Sequence, residues 1–257
     1  MKNPMLLLIC LVLLSACEST NKLNIELSSN VYLDNAFNSN YKVETPEQIF
    51  AISPEMSVYI DKRLKKLNGA KQLTHRLISD LFDPDMLNIQ YAHDANFIAS
   101  DTFEKGIANC MSLTLLSYVL IRETGLEATI MDIKVEENWN VLNNRTLLNG
   151  HVNLSVQEDK KDTNIMLLSK KYIIDFLPML NTKVLSKKSL NRDSIVALFY
   201  NNKGSDALTS NNIDTAYQYY KAATQLKPND AALWGNLASL YRQTGYLEQA
   251  ESLYLYA

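Results

Sequence analysis

The stretch that decides how this chain is read is TFEKGIANCMSLTLLSYVLIRETG, Thr102 to Gly125. Asn109 is a good N-cap, Met111 to Ile121 is nearly all apolar or small, and Gly125 stands where a left-handed residue ends a helix. The spacing predicts a buried helix whose first turn holds Cys110. Unpaired backbone N–H groups and the helix dipole favour thiolate over thiol at such a position, which is how a nucleophile is made. The competing reading is a small, inert thiol packed under the helix.

Working outward, LEATIMDIKV after Gly125 alternates and reads as a strand. HVNLSV alternates strictly, with His151, Asn153 and Ser155 on one side and Val152, Leu154 and Val156 on the other. The polar side is expected to look toward the cysteine helix. In YIIDFLP, Asp175 interrupts an apolar run, and a buried carboxylate needs a partner. His151 suits that role, unless Asp175 merely caps a turn before Pro178 and His151 is an ordinary strand histidine. Cys110, His151 and Asp175 together supply a nucleophile, a base and a group to hold the imidazole. As zinc ligands they would lack a fourth partner and any close C-x-x-C spacing, so no metal is expected. His93 and Asp94, in the polar segment Asn88 to Ser100, are a second pair that competes for the same role.

The run GIANCMSLTLLSYVLIRETGLEA, then HVNLSV, then YIIDFLP, resembles the transglutaminase-like branch of the papain-like superfamily over about Tyr91 to Pro178. The resemblance implies an α+β fold, helices packed on an antiparallel sheet, with a helix-start cysteine facing a histidine and an aspartate on neighbouring strands. It implies acyl transfer by Cys110, His151 and Asp175 without a cofactor, the acceptor being water or an amine. Its motif order disfavours His93, and Tyr91 matches an aromatic position expected to line the cleft. One departure stands out: Ala108 precedes Asn109, where bacterial relatives usually carry glycine, so the turn into the helix is expected to be built differently.

Toward the N-terminus, Lys2 gives a short positive region, Met5 to Leu14 is apolar but too short to span a bilayer, and Leu14-Ser15-Ala16-Cys17 closes it. That tetrapeptide resembles the lipobox of bacterial lipoproteins, which implies cleavage before Cys17 and lipidation of its sulfur; the alternative is an ordinary secretory signal cut near Ala16. Glu18 is not the aspartate of an inner-membrane retention signal, so the implied location is the bacterial cell envelope, lipid-anchored in the outer membrane and facing the periplasm. Cys10 would leave with the signal and Cys17 would be lipidated, making Cys110 the lone free thiol. Residues 18–44, rich in asparagine and serine, read as a flexible tether. A transglutaminase-like domain is expected over 45–185, entered by helices starting at Ser53-Pro54 and running from Ala70 to Phe82. His75 lies off the apolar stripe of the latter and reads as a surface residue.

Beyond a polar connector, LNTKVLSKKSLNRDS, the pattern becomes a repeat over 195–257. Tyr200, Gly204, Ala216, Tyr220 and Ala223 stand 34 residues before Trp234, Ala238, Ala250, Tyr254 and Ala257. This resembles the tetratricopeptide repeat, a pair of antiparallel helices per unit, the second unit incomplete. Such arrays stack in larger numbers, so this pair is expected either to lean on the preceding domain or to continue into further repeats, with exposed Leu253 and Tyr254 favouring the latter. A protein or peptide is the expected partner of the repeats. With a net charge of −3 over 257 residues, nucleic acid is not. The whole therefore reads as a membrane-anchored cysteine hydrolase or acyltransferase, or else as a catalytically silent scaffold of the same build.

Overall fold

The computed structural model describes residues 31–38, 41–135, 140–142, 145–147, 151–158, 170–176 and 184–257. The segment expected to be a signal and lipobox, with Cys17, lies outside the described residues, as do Trp139 and Met166 to Leu168.

Helix α1, Pro46–Ile49, opens on a capping box from Thr45. Helix α2, Pro54–Tyr59, is capped by Ser53, whose Oγ accepts from Met56 N at 3.2 Å, and runs on through a π-helical turn, Ile60–Leu64. Helix α3, Gly69–Phe82, buries the stripe Leu73, Leu77 and Leu81 and leaves His75 exposed. Asp80 ties α2 to α3: its buried carboxylate accepts from Arg63 Nη2 at 2.7 Å and Nε at 3.0 Å and from Tyr59 Oη at 3.0 Å. A buried charge so fully paired orients elements, and removing one partner leaves it unmatched.

The polar segment before the cysteine helix is more ordered than its composition suggests. Strand β1, Gln90–Tyr91, pairs in parallel with β2, Ile107–Ala108, around helix α4, Ala99–Lys105, and Gly106 at φ +64° ends that helix. Helix α5, Cys110–Arg122, follows, then strand β3, Ala128–Val135, a short antiparallel pair β4, Asn140–Leu142, and β5, Arg145–Leu147, and strands β6, His151–Gln157, and β7, Lys171–Ile174. The expected polar connector is corrected in part, because Val184–Ser189 is strand β8, antiparallel to β3. All six of its residues are exposed, so it has no apolar alternation to betray it; it is an edge strand held by its backbone, with Lys187 and Lys188 suited to an open edge. The four-stranded sheet runs β7-β6-β3-β8, each neighbour antiparallel.

Four helices close the chain: α6, Arg192–Thr209, α7, Ile213–Leu226, α8, Ala231–Gln243, and α9, Leu247–Tyr256. Asn211 and Gly245, both at positive φ, make the turns within the helix pairs. These helices do lean on the sheet domain. Ile195, Phe199, Tyr219 and Ala223 belong to the same core as Ile130 and Leu154 of the sheet and Leu113 and Leu116 of α5. A second core gathers Tyr217, Trp234, Leu237 and Tyr241. Leu253, expected exposed, is buried there, whereas Tyr254 is exposed.

The flexible tether is also corrected where it is described. Residues 31–38 and 41–44 lie on the repeat helices, with Phe37 buried in the second core and Glu44 accepting from Tyr219 Oη at 2.7 Å. Asparagine and serine dominate the stretch, but its few aromatic residues meet aromatic partners far along the chain.

Candidate functional site

Asn109 enters α5 in extended backbone and its Oδ1 accepts from Ser112 N at 2.9 Å. Its own N–H donates to Ala95 O at 2.9 Å, while Ala108, one residue earlier, is buried in β2 and accepts from Ala92 N at 3.0 Å. The approach to the helix is thus made by a parallel ladder rather than a left-handed turn, which is why alanine fits where glycine was anticipated. Ser112 Oγ accepts from Phe97 N at 2.7 Å and lies 3.0 Å from Ala95 O, clamping the 92–98 loop to the first turn of α5.

Cys110 is half-buried at that helix start. Burial pushes its thiol above the ordinary thiol value; the backbone N–H groups of Met111 and Cys110 pull the other way, the charge of Asp175 pushes it up again, and a hydrogen bond with the Tyr91 hydroxyl pulls it down. The net direction is upward. The helix-start donors expected from sequence are present, but desolvation outweighs them, and the thiol form prevails at neutral pH. Tyr91, whose own hydroxyl is pushed up chiefly by burial, also carries the exposed ring of His93 edge-on at 5.1 Å. Asn109 Nδ2 donates to His93 O at 3.5 Å, so His93 contributes its backbone to the helix entry.

His151 is the first residue of β6, opposite Ile133 of β3, and its side chain is 5% exposed. Asp175 follows directly on Ile174, which pairs with Leu154 of the same strand. The neighbouring strands therefore bring the imidazole and the carboxylate together, with His151 Nε2 and Asp175 Oδ2 2.9 Å apart and the carboxylate partly open to solvent. Val152, Leu154 and Val156 join the core that holds the α5 leucines. A helix buried from Met111 to Ile121 on nearly its whole circumference demands an apolar surface. Phe82, at the end of α3, stands edge-on to Phe176 at 6.2 Å, beside Asp175.

Among the described residues, no three or more histidine, cysteine, aspartate or glutamate side chains form a metal-holding group, and no helix is long and apolar enough to cross a membrane. Sequence reasoning missed Ser112 and the clamp it makes. A serine in the first turn, three residues after the Asn109 cap, was the available signal.

Residues 207–255, from α6 through α9, match the tetratricopeptide repeat family. The C-terminal helical segment is therefore of a repeat type that generally mediates protein–protein interaction. No curated protein matches the chain. No solved structure matches it.

Proposed function

We propose that this chain is a lipid-anchored envelope enzyme of the cysteine acyl-transfer class, with repeats that hold a protein partner. The observation that carries the reading is the 2.9 Å contact between His151 Nε2 and Asp175 Oδ2, with Asp175 close enough to raise the thiol of Cys110 at the start of α5. With Nε2–H given to Asp175, Nδ1 keeps the lone pair that takes the Cys110 proton as sulfur attacks an amide or ester carbonyl. The carbonyl becomes a tetrahedral oxyanion, for which the backbone N–H of Cys110 is a donor. The leaving amine or alcohol departs with the proton from His151, and a thioester remains on Cys110. Water, or a second amine, then releases the acyl group; hydrolysis is favoured because the sequence carries no recognisable site for a lysine donor. No cofactor enters these steps. Cys17, if processed and acylated, tethers the enzyme to the outer membrane's periplasmic leaflet.

A thiol that is neutral at pH 7 makes this a general-base mechanism rather than a preformed thiolate–imidazolium pair, and the same elevation favours the second reading, a silent scaffold of the same build. The two separate on a nitrophenyl ester assay with mass detection of the thioester on Cys110. The enzyme acylates at neutral pH, His151→Ala slows that step by about 10²–10⁴-fold, and Asp175→Asn slows it less. Direct alkylation by iodoacetamide needs no base and should show a midpoint above the ordinary thiol value of about 8.5. Acylation indifferent to His151 leaves only the scaffold.

A further inference from the structure

Residues 31–38, VYLDNAFN, make no regular element, with a single turn closed by Ala36 N and Leu33 O at 2.9 Å, and they lie across α7 and α8 as a bound peptide would. Tyr241 Oη donates to Val31 O at 2.9 Å and accepts from Leu33 N at 3.3 Å, so one hydroxyl grips the backbone on both sides of Tyr32. The Tyr32 ring stacks on Trp234 with centroids 6.1 Å apart, and its hydroxyl meets Thr224 Oγ1 at 3.1 Å. Asp34 Oδ1 accepts from Lys221 Nζ at 2.6 Å and Tyr217 Oη at 2.8 Å. Phe37 stacks on Tyr217 at 4.4 Å. The side chains at positions 32, 34 and 37 thus meet the Trp234 indole, Lys221 with the Tyr217 hydroxyl, and the Tyr217 ring, so that Tyr217 receives two of them. Without this segment the face would present Tyr217, Trp234 and Tyr241 to water, the kind of contiguous apolar patch that marks a docking site.

We infer that the α7–α8 face is a peptide-docking site held by residues 31–38 as an internal occupant, and that it takes in trans a partner's segment of the pattern aromatic-x-acid-x-x-aromatic. The internal segment is tethered, so its effective concentration is on the order of millimolar, and a partner must outcompete it or meet a chain whose segment has been pulled away. The inference rests on reading the repeats as a protein-binding unit and is independent of the thiol chemistry.

The test uses the full chain and a fluorescent peptide of residues 31–38. Replacing Tyr32, Asp34 and Phe37 together by alanine empties the face, and that variant should bind the peptide at least about tenfold more tightly than the unaltered chain. Adding Lys221→Glu should weaken binding about tenfold, and a peptide carrying Asp34→Lys should restore it. Should the triple variant fail to fold, the single Asp34→Lys chain serves: it loosens one anchor, should bind peptide, and should lose that binding when Lys221→Glu re-forms the pair in cis. A folded variant that ignores the peptide, or binding indifferent to the charge exchange, overturns the inference. So does a dimer built by exchange of residues 31–38, which would make a second copy the occupant. Peptide binding without acylation of Cys110 sinks the enzyme alone, and acylation without peptide binding sinks the docking site alone.

Discussion

Asp206, on α6, is buried enough that desolvation pushes its carboxyl up to about 7, the charge of Asp94 pushing in the same direction and Lys203 opposing. Its Oδ2 has no hydrogen-bond partner among the described residues. Because the folded value lies above the ordinary carboxylate value of about 3.9, the protonated form is the one the fold prefers. Its contribution to stability is complete below that unfolded value and is lost as pH rises through about 7. Urea midpoints should therefore fall from acid to mildly alkaline pH, and Asp206→Asn, which mimics the neutral acid, should flatten that slope and be the more stable protein near pH 8 by roughly 1–3 kcal/mol. A slope unchanged by the substitution would mean the carboxyl titrates normally. The same contest between local and tertiary effects limits what the candidate site revealed in advance. Asn109 as a cap and Cys110 as the first helical residue were legible, because capping is written within four residues of sequence. The direction of the thiol was not, since the burial that overrides the helix-start donors comes from tertiary packing, which four residues of sequence do not record.

At the scale of elements, periodic segments were the legible ones. The 34-residue spacing located the repeat helices because each unit repeats the same small-residue contacts. Strand β8 and the 31–44 segment were not legible, since one is a fully exposed edge and the other gets its apolar contacts from residues some 180 positions away. The spacing also placed Gly204 opposite Ala238 in the repeat, and the packing distinguishes glycines that composition cannot. A Cβ on Gly204 would stand 2.7 Å from two ring carbons of Tyr220, so α6 and α7 touch there only because no side chain intervenes. Gly204→Ala should destabilise by about 1–3 kcal/mol through that clash. Gly235, inside α8, has nothing within 4 Å of such a carbon. Gly235→Ala should therefore stabilise by roughly 1 kcal/mol, the helix-propensity gain alone. Urea midpoints for the two variants, measured side by side, check both signs; a stabilising Gly204→Ala would mean the two helices can part at no cost.

For the whole molecule, the sheet domain and the repeats cannot be independent bodies. Phe199 of α6 is fully buried, and its carbonyl accepts from Asn96 Nδ2 at 3.4 Å, in the loop that Ser112 clamps to the cysteine helix. Tyr200 Oη reaches Glu44 O, and Glu44 in turn accepts from Tyr219, so the N-terminal segment, α6 and α7 are tied at one point. A chain joined through a common core, rather than by a linker, should unfold in one step. Replacing Trp139 by phenylalanine leaves Trp234, in the repeats, as the single indole of the sequence, and Cys110 is the thiol of the sheet domain. In urea, the fluorescence change of Trp234 and the exposure of Cys110 to a thiol reagent should share one midpoint. Phe199→Ala should move both together, by about 3–5 kcal/mol, because it empties the core on which both depend. Two separated midpoints, or a Phe199→Ala effect confined to one probe, would show that the repeats fold on their own and that any partner bound there reaches Cys110 by proximity alone. A single shared transition instead means that whatever stabilises the α7–α8 face also stabilises the frame holding Cys110, His151 and Asp175.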